Sequence, residues 1–109
     1  MIVRQARFVG HIHSGAEQGF YDFVRARLVP MWRRFPGLER LEVCFPVSAD
    51  EGAAPVALSL SMYFPDRAAL EETLASSIRI ASRGVTQELL TRFEGHVEHH
   101  IFEVEGERP

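Results

Sequence analysis

The sequence predicts an α+β domain of β-α-β-β-α-β order: a four-stranded antiparallel sheet, strand order 4-1-3-2, with two helices on one face, the ferredoxin-like arrangement. Three observations predict it. Four segments are rich in β-branched and aromatic residues, and several alternate apolar and polar side chains. Two longer segments repeat apolar residues at gaps of three and four. The helical segments sit between the first and second strands and between the third and fourth.

The first strand is read from Ile2 to His13. Ile2, Ala6, Phe8 and Ile12 share its more apolar face, interrupted by Arg4, and Gln5, Arg7, Val9, His11 and His13 share the other. Ser14-Gly15 is a turn, and Ser14 with Glu17 has capping-box spacing. Phe20, Phe23, Val24, Leu28, Met31, Trp32 and Phe35 form a helical stripe. Pro30 removes a backbone donor inside it, which predicts a kink or break near Val29, and Pro36-Gly37 ends the helix.

The second strand is read from Leu38 to Val47 and the third from Val56 to Phe64, joined by a polar loop over 50–55. Val56, Leu58, Leu60, Met62 and Phe64 form the most regular alternation in the chain and predict a buried strand face. Asp66 is the expected N-cap of the second helix. Leu70, Leu74 and Ile78 begin its stripe, Gly84 is expected to interrupt it, and Val85, Leu89, Leu90 and Phe93 resume it. Gly95 is expected to close that helix through a positive φ. His96 to Glu105 is the last strand. Residues 1–105 then form one domain, and 106–109 a mobile tail.

This order places the first and last strands side by side and antiparallel, which is expected to gather His11, His13, His96, His99 and His100 at one end of the sheet. It also leaves one sheet face without helices. Val3, Val9, Ala57 and Tyr63 lie there among polar residues, a mixed face that a symmetric homodimer would cover.

Composition narrows the function classes. The 109 residues, 46% hydrophobic and 25% charged, suit one globular domain. A formal net charge of −3 with no concentrated basic run argues against nucleic acid as a partner. Arg25, Arg27, Arg33 and Arg34 read as the solvated side of a helix. No apolar stretch approaches the roughly 20 residues that cross a bilayer, and no secretory signal is evident, so no membrane partner and a cytoplasmic location are expected. Cys44, the single cysteine, reads as packing rather than nucleophile. A phosphate-cradling glycine loop and a nucleophile elbow are both absent.

Four local strings carry a family resemblance. They are Phe20-Tyr21-Asp22-Phe23, Pro36-Gly37-Leu38-Glu39-Arg40, Tyr63-Phe64-Pro65-Asp66-Arg67-Ala68-Ala69-Leu70 and Phe93-Glu94-Gly95-His96-Val97. In their order and spacing the chain resembles the dimeric α+β barrel superfamily, which includes the EthD-like proteins and the antibiotic-biosynthesis monooxygenases. The resemblance implies a homodimer with a pocket in each subunit between helices and sheet. In some relatives that pocket oxidises small aromatic or polyketide substrates with molecular oxygen and no cofactor, other relatives degrade haem, and EthD-like members are linked to the breakdown of organic compounds. The haem-degrading branch carries an Asn in the first strand and a His in the second helix, and neither stands here. The His that often follows a Trp in EthD-like first helices is replaced after Trp32 by Arg33, Arg34 and Phe35.

The candidate chemistry rests on histidine, which titrates near working pH and can take a proton from a phenol or enol. The catalytic candidates are His100, His13 and His11. His11 and His13 share the face expected to meet the dimer partner, and His100, beside Phe102 and Val104, is assigned to the pocket. Tyr21, Tyr63 and Arg7 are candidates to bind or polarise a substrate. Phe8, Tyr21, Trp32, Met62 and Phe102 are assigned to the pocket lining. The helical spacing of Met31, Trp32 and Phe35 fits a cavity wall and equally an ordinary core. His11-x-His13 places two imidazoles on one face about 7 Å apart, a spacing that could join His99, His100 or Glu98 around a metal. The alternative is partly exposed histidines satisfied by backbone and water. The adopted expectation is no metal and no cofactor. Function is expected to be binding of a small apolar or aromatic molecule, with cofactor-independent oxidation or isomerisation. A non-catalytic ligand-binding or accessory protein of the same fold is the competing class.

Overall fold

The computed structural model describes residues 1–106. Its elements run β1 (Ile2–Ile12), α1 (Glu17–Phe23), a π-helical turn (Val24–Leu28), α2 (Val29–Trp32), β2 (Arg40–Cys44), β3 (Val56–Phe64), α3 (Arg67–Leu74), α4 (Ser77–Leu90) and β4 (Phe93–Glu103). All strand pairs are antiparallel, in the order β2-β3-β1-β4. This is the expected sheet, and the first and last strands are neighbours along eleven residue pairs, from Ile2 with Glu103 to Ile12 with Phe93. The expected tail lies mostly outside the described residues.

The helices cover one face. Ala6 and Phe8 of β1, and Leu58, Leu60, Met62 and Phe64 of β3, pack there against Phe20, Val24, Leu28, Trp32, Leu70 and Leu89. Burying each of the larger side chains contributes about 1.5–3 kcal/mol. Phe8, Phe20 and Phe93 meet at centroid distances of 6.0–6.4 Å and close the end of this core where β1 ends beside the start of β4.

Several local expectations are corrected. Ser14 does not cap α1: the N-cap position is Ala16, with no side-chain bond. The kink or break expected near Val29 takes the form of a wider turn that ends there, and the helix is not terminated. Pro30 has no N–H for the carbonyl of Ala26, and the chain widens upstream instead. The N–H of Val29 reaches back five residues to the Val24 carbonyl, and helix resumes to Trp32. Gly84 lies inside an unbroken α4. The interruption falls at Ala75-Ser76, where Ser76 turns extended and its hydroxyl donates to the Thr73 carbonyl (2.6 Å) and accepts from Arg79 N–H (3.3 Å). Side-chain hydroxyls that compete for backbone groups favour such a boundary. β2 is shorter than expected, and Val47 beyond it is 98% exposed.

Gly95 is not a helix cap. It sits in β4 opposite Gly10, with φ of +151° and +144° respectively. A Cβ on Gly10 would lie 2.1 Å from the Glu94 carbonyl oxygen, and one on Gly95 would lie 2.1 Å from that of Val9. Only glycine permits both the backbone conformation and the approach. A second irregularity lies between β1 and β3, where Phe8 pairs with Leu58 and Val9 with Val56, leaving Ala57 as the extra residue of a bulge. The Tyr21 hydroxyl donates to the Ala57 carbonyl at 3.2 Å.

Candidate functional site

A cavity of about 280 Å³ lies between α2, α4 and the covered faces of β1, β3 and β4. Phe8, Trp32, Phe35, Leu60 and Met62 are buried and line its apolar part. Its polar lining comes from three elements: Arg4 on β1, Arg79, Ser82, Arg83, Thr86 and Gln87 on α4, and His99 on β4. The spacing is what directs them. Arg4 shares the pleat with Ala6 and Phe8, and His99 stands opposite Ala6. Arg79 and Arg83 are one helical turn apart.

The charges in this cavity act on one another. Partial removal from water, reinforced by Arg79 and Arg83, lowers the Arg4 pKa, and burial followed by Arg83 lowers that of Arg79. Partial burial, with the guanidiniums of Arg4, Arg79 and Arg83 behind it, pulls His99 down to about 4 although the residue keeps an exposed side. His99 is therefore a neutral imidazole at pH 7, able to donate through one ring nitrogen and accept through the other. The hydroxyls of Ser82 and Thr86 are spent on the carbonyls of Arg79 (2.7 Å) and Ser82 (2.8 Å) of their own helix.

Among the expected pocket residues, Phe8, Trp32 and Met62 line this cavity, and Tyr21 and Phe102 do not. Tyr21 is held on Ala57 and packs edge-on against Phe20 and Phe45. Phe102 is 47% exposed on the helix-free face. The placement of His100 is corrected as well. It stands opposite Gln5, on the helix-free face, with its ring stacked 5.9 Å from that of Phe102. The residue turned into the cavity is its neighbour His99.

The expected histidine corner does not assemble. His11 stands opposite Glu94 and His96 opposite Val9, on the helix-free face. His13 lies past the strand end, its N–H bonded to the Arg92 carbonyl at 2.9 Å. His100 is four residues farther along β4 than His96, and His99 is on the other side of the sheet. His96 instead pairs with Glu98 at 2.9 Å. Among the described residues no three His, Cys, Asp or Glu side chains converge as a metal site. Arg7 lies opposite Glu98 on the helix-free face. Tyr63 is on that face too and donates to Glu42 at 2.8 Å, a bond that raises the tyrosine pKa and lowers that of the carboxyl.

Two signals for the missed residues were present in the sequence. Arg4 interrupts an otherwise apolar strand face, and Arg79 and Arg83 recur at helical spacing beside the stripe of Ile78 and Val85.

No family model matches the chain, and no curated protein does. Solved structures do. An EthD family protein from Bacillus halodurans superposes with a TM-score of 0.78 at 20% identity, over 96% of this chain and 100% of that one. The chain has the EthD-like fold. SnoaB from Streptomyces nogalater, a cofactor-independent oxygenase, matches with a TM-score of 0.63 at 17% identity, over 99% and 96% of the two chains. A dimeric protein of unknown function and ferredoxin-like fold from Bacteroides fragilis matches with a TM-score of 0.66 at 8% identity, over 94% and 95%. Within the EthD-like fold the cavity thus lies where helices and sheet face each other, and the helix-free face lies opposite.

Proposed function

We propose that this protein binds a small, largely apolar aromatic molecule in the helix–sheet cavity and oxidises it there with molecular oxygen, without a bound cofactor. It acts as a homodimer joined through the helix-free face. The observation that carries this reading is the cavity, in which Trp32, Phe35 and Phe8 share one space with a neutral imidazole and three guanidiniums. Apolar walls with a few convergent polar groups suit a small aromatic ligand.

The chemistry follows from charge. A phenol or enol whose hydroxyl lies toward Arg4, Arg79 and Arg83 ionises more readily, because fixed positive charge favours its anion. His99 is unprotonated and has a free acceptor for the departing proton. The anion is electron-rich enough to reduce dioxygen directly. The cofactor-independent activity of SnoaB and the dimeric state of the Bacteroides protein support this reading.

Oxygen uptake with a panel of phenols, quinols and enolisable ketones is the test. Protein-dependent uptake that falls in His99→Gln by about 10²-fold or more, the usual contribution of a general base, is the expected result. One observation favours a second reading, that of a ligand-binding protein without turnover: a proton affinity held near 4 is low for a base working at neutral pH. Binding of panel members with no uptake from any of them would establish that alternative.

A further inference from the structure

We infer that the cavity selects organic monoanions, taking an aromatic carboxylate with its charged head among Arg4, Arg79 and Arg83 and its ring against Trp32 and Phe35. The inference rests on the reading of this cavity as the ligand site. Three guanidiniums from two elements surround one cavity, and none of its fifteen lining residues is acidic. Among the described residues the arginine–carboxylate pairs lie elsewhere: Arg25 with Asp22, Arg27 with Glu88, Arg40 with Glu42 and Arg67 with Glu71. Arg4, Arg79 and Arg83 pair with no carboxylate among the described residues.

That is a costly arrangement for a resting protein. Arg4 projects from the covered sheet face, between Ile2 and Ala6 on the same pleat, and like charges stand close to it on α4. Burial first, and then the like charges of Arg79 and Arg83, lower the Arg4 pKa, and burial followed by Arg83 lowers that of Arg79. A single carboxylate relieves the repulsion, since a guanidinium fork donates to both carboxylate oxygens at once and the pairing strengthens away from water. Inorganic anions would use only part of the site. Eight of the fifteen lining residues are apolar, so a ring attached to the carboxylate gains contact that phosphate does not. A neutral His99 fits the same occupant, because it adds a donor toward the anion without a fourth charge.

The only tryptophan of the chain, Trp32, lines this cavity and reports on its occupant. Calorimetry and Trp32 fluorescence at pH 7.5 and low salt should show 3-phenylpropanoate binding at least about tenfold tighter than 3-phenylpropanamide, its neutral isostere. Inorganic phosphate should bind more weakly than the propanoate. Arg83→Gln, at an exposed position on α4, should remove most of the preference for the carboxylate while leaving the amide unaffected, with helicity checked by circular dichroism. Equal affinity for carboxylate and amide would overturn the anion selectivity yet keep the cavity as the binding site. Phosphate binding as tightly as the propanoate would overturn the paired requirement for charge and ring. Absence of binding by all three probes in calorimetry would remove the cavity reading and this inference with it.

Discussion

His99 and His100 are consecutive, and the strand pleat sends them to opposite faces of β4. A phase error of one residue therefore exchanges a cavity imidazole for a surface one. The sequence offered a reason to choose His100, because it shares its face with Phe102 and Val104 while His99 is flanked by Val97 and Ile101. Both faces of this strand are partly apolar, so alternation alone could not tell the covered side from the open one. The better guide was Arg4, whose pleat partners Ala6 and Phe8 mark the core side. The neutral state of His99 has a consequence for stability. In the unfolded chain the imidazole titrates near 6.5, and in the folded protein near 4. Between those values the unfolded chain binds more protons, so the contribution is complete above the upper value and is lost as pH falls through the window. Melting temperatures measured from pH 7 to pH 4.5 should fall more steeply for the wild type than for His99→Gln. Parallel curves would mean that the folded environment does not hold this imidazole neutral.

At the level of elements, strands were more legible than helix interruptions. β3 has the bounds expected of it, because apolar residues recur at every second position of its sequence, although the bulge at Ala57 breaks the alternation of its faces at the start. The two helical regions were located; the irregularity expected near Val29 is a wider turn just before it, and the interruption expected at Gly84 falls at Ser76 instead. Proline's missing donor can be absorbed by a wider turn upstream, and a glycine on an exposed helix face costs only about 1 kcal/mol. The break at Ser76 was harder to see, since it arises from hydroxyl bonds to nearby backbone rather than from an absent side chain or donor. Asp66 was legible as a cap and acts as one, accepting from the Ala69 N–H at 2.9 Å. Asp66→Ala should lower stability by about 1 kcal/mol in urea unfolding. No change in midpoint would show that water replaces the carboxylate at this exposed helix start.

For the whole molecule, element order was sufficient to give the sheet and its covered face, because few topologies satisfy a β-α-β-β-α-β chain. The contents of the cavity were not, since they depend on which side chains meet across β1, β4 and α4. The helix-free face carries Phe102 and Val104, 47% and 42% exposed, beside His100, Val9 and the Tyr63–Glu42 pair. Burial of that face by a second subunit would remove apolar surface at about 25 cal/mol per Å². Phe102→Asp places a charge in the proposed contact, and light scattering should then give a monomer mass where the wild type gives a dimer. A monomeric wild type, or a variant that remains dimeric, would move the subunit contact to another surface.

The facing glycines of β1 and β4 bear on how this chain can diverge. At most contacts in a sheet, a larger residue on one strand can be accommodated by a smaller one on the other. Here neither position has anything left to give up, because each already lacks a side chain and each is crowded by its neighbour's main chain. Reciprocal replacement is closed to this pair, and a lineage that loses either glycine must reshape the entry to its final strand.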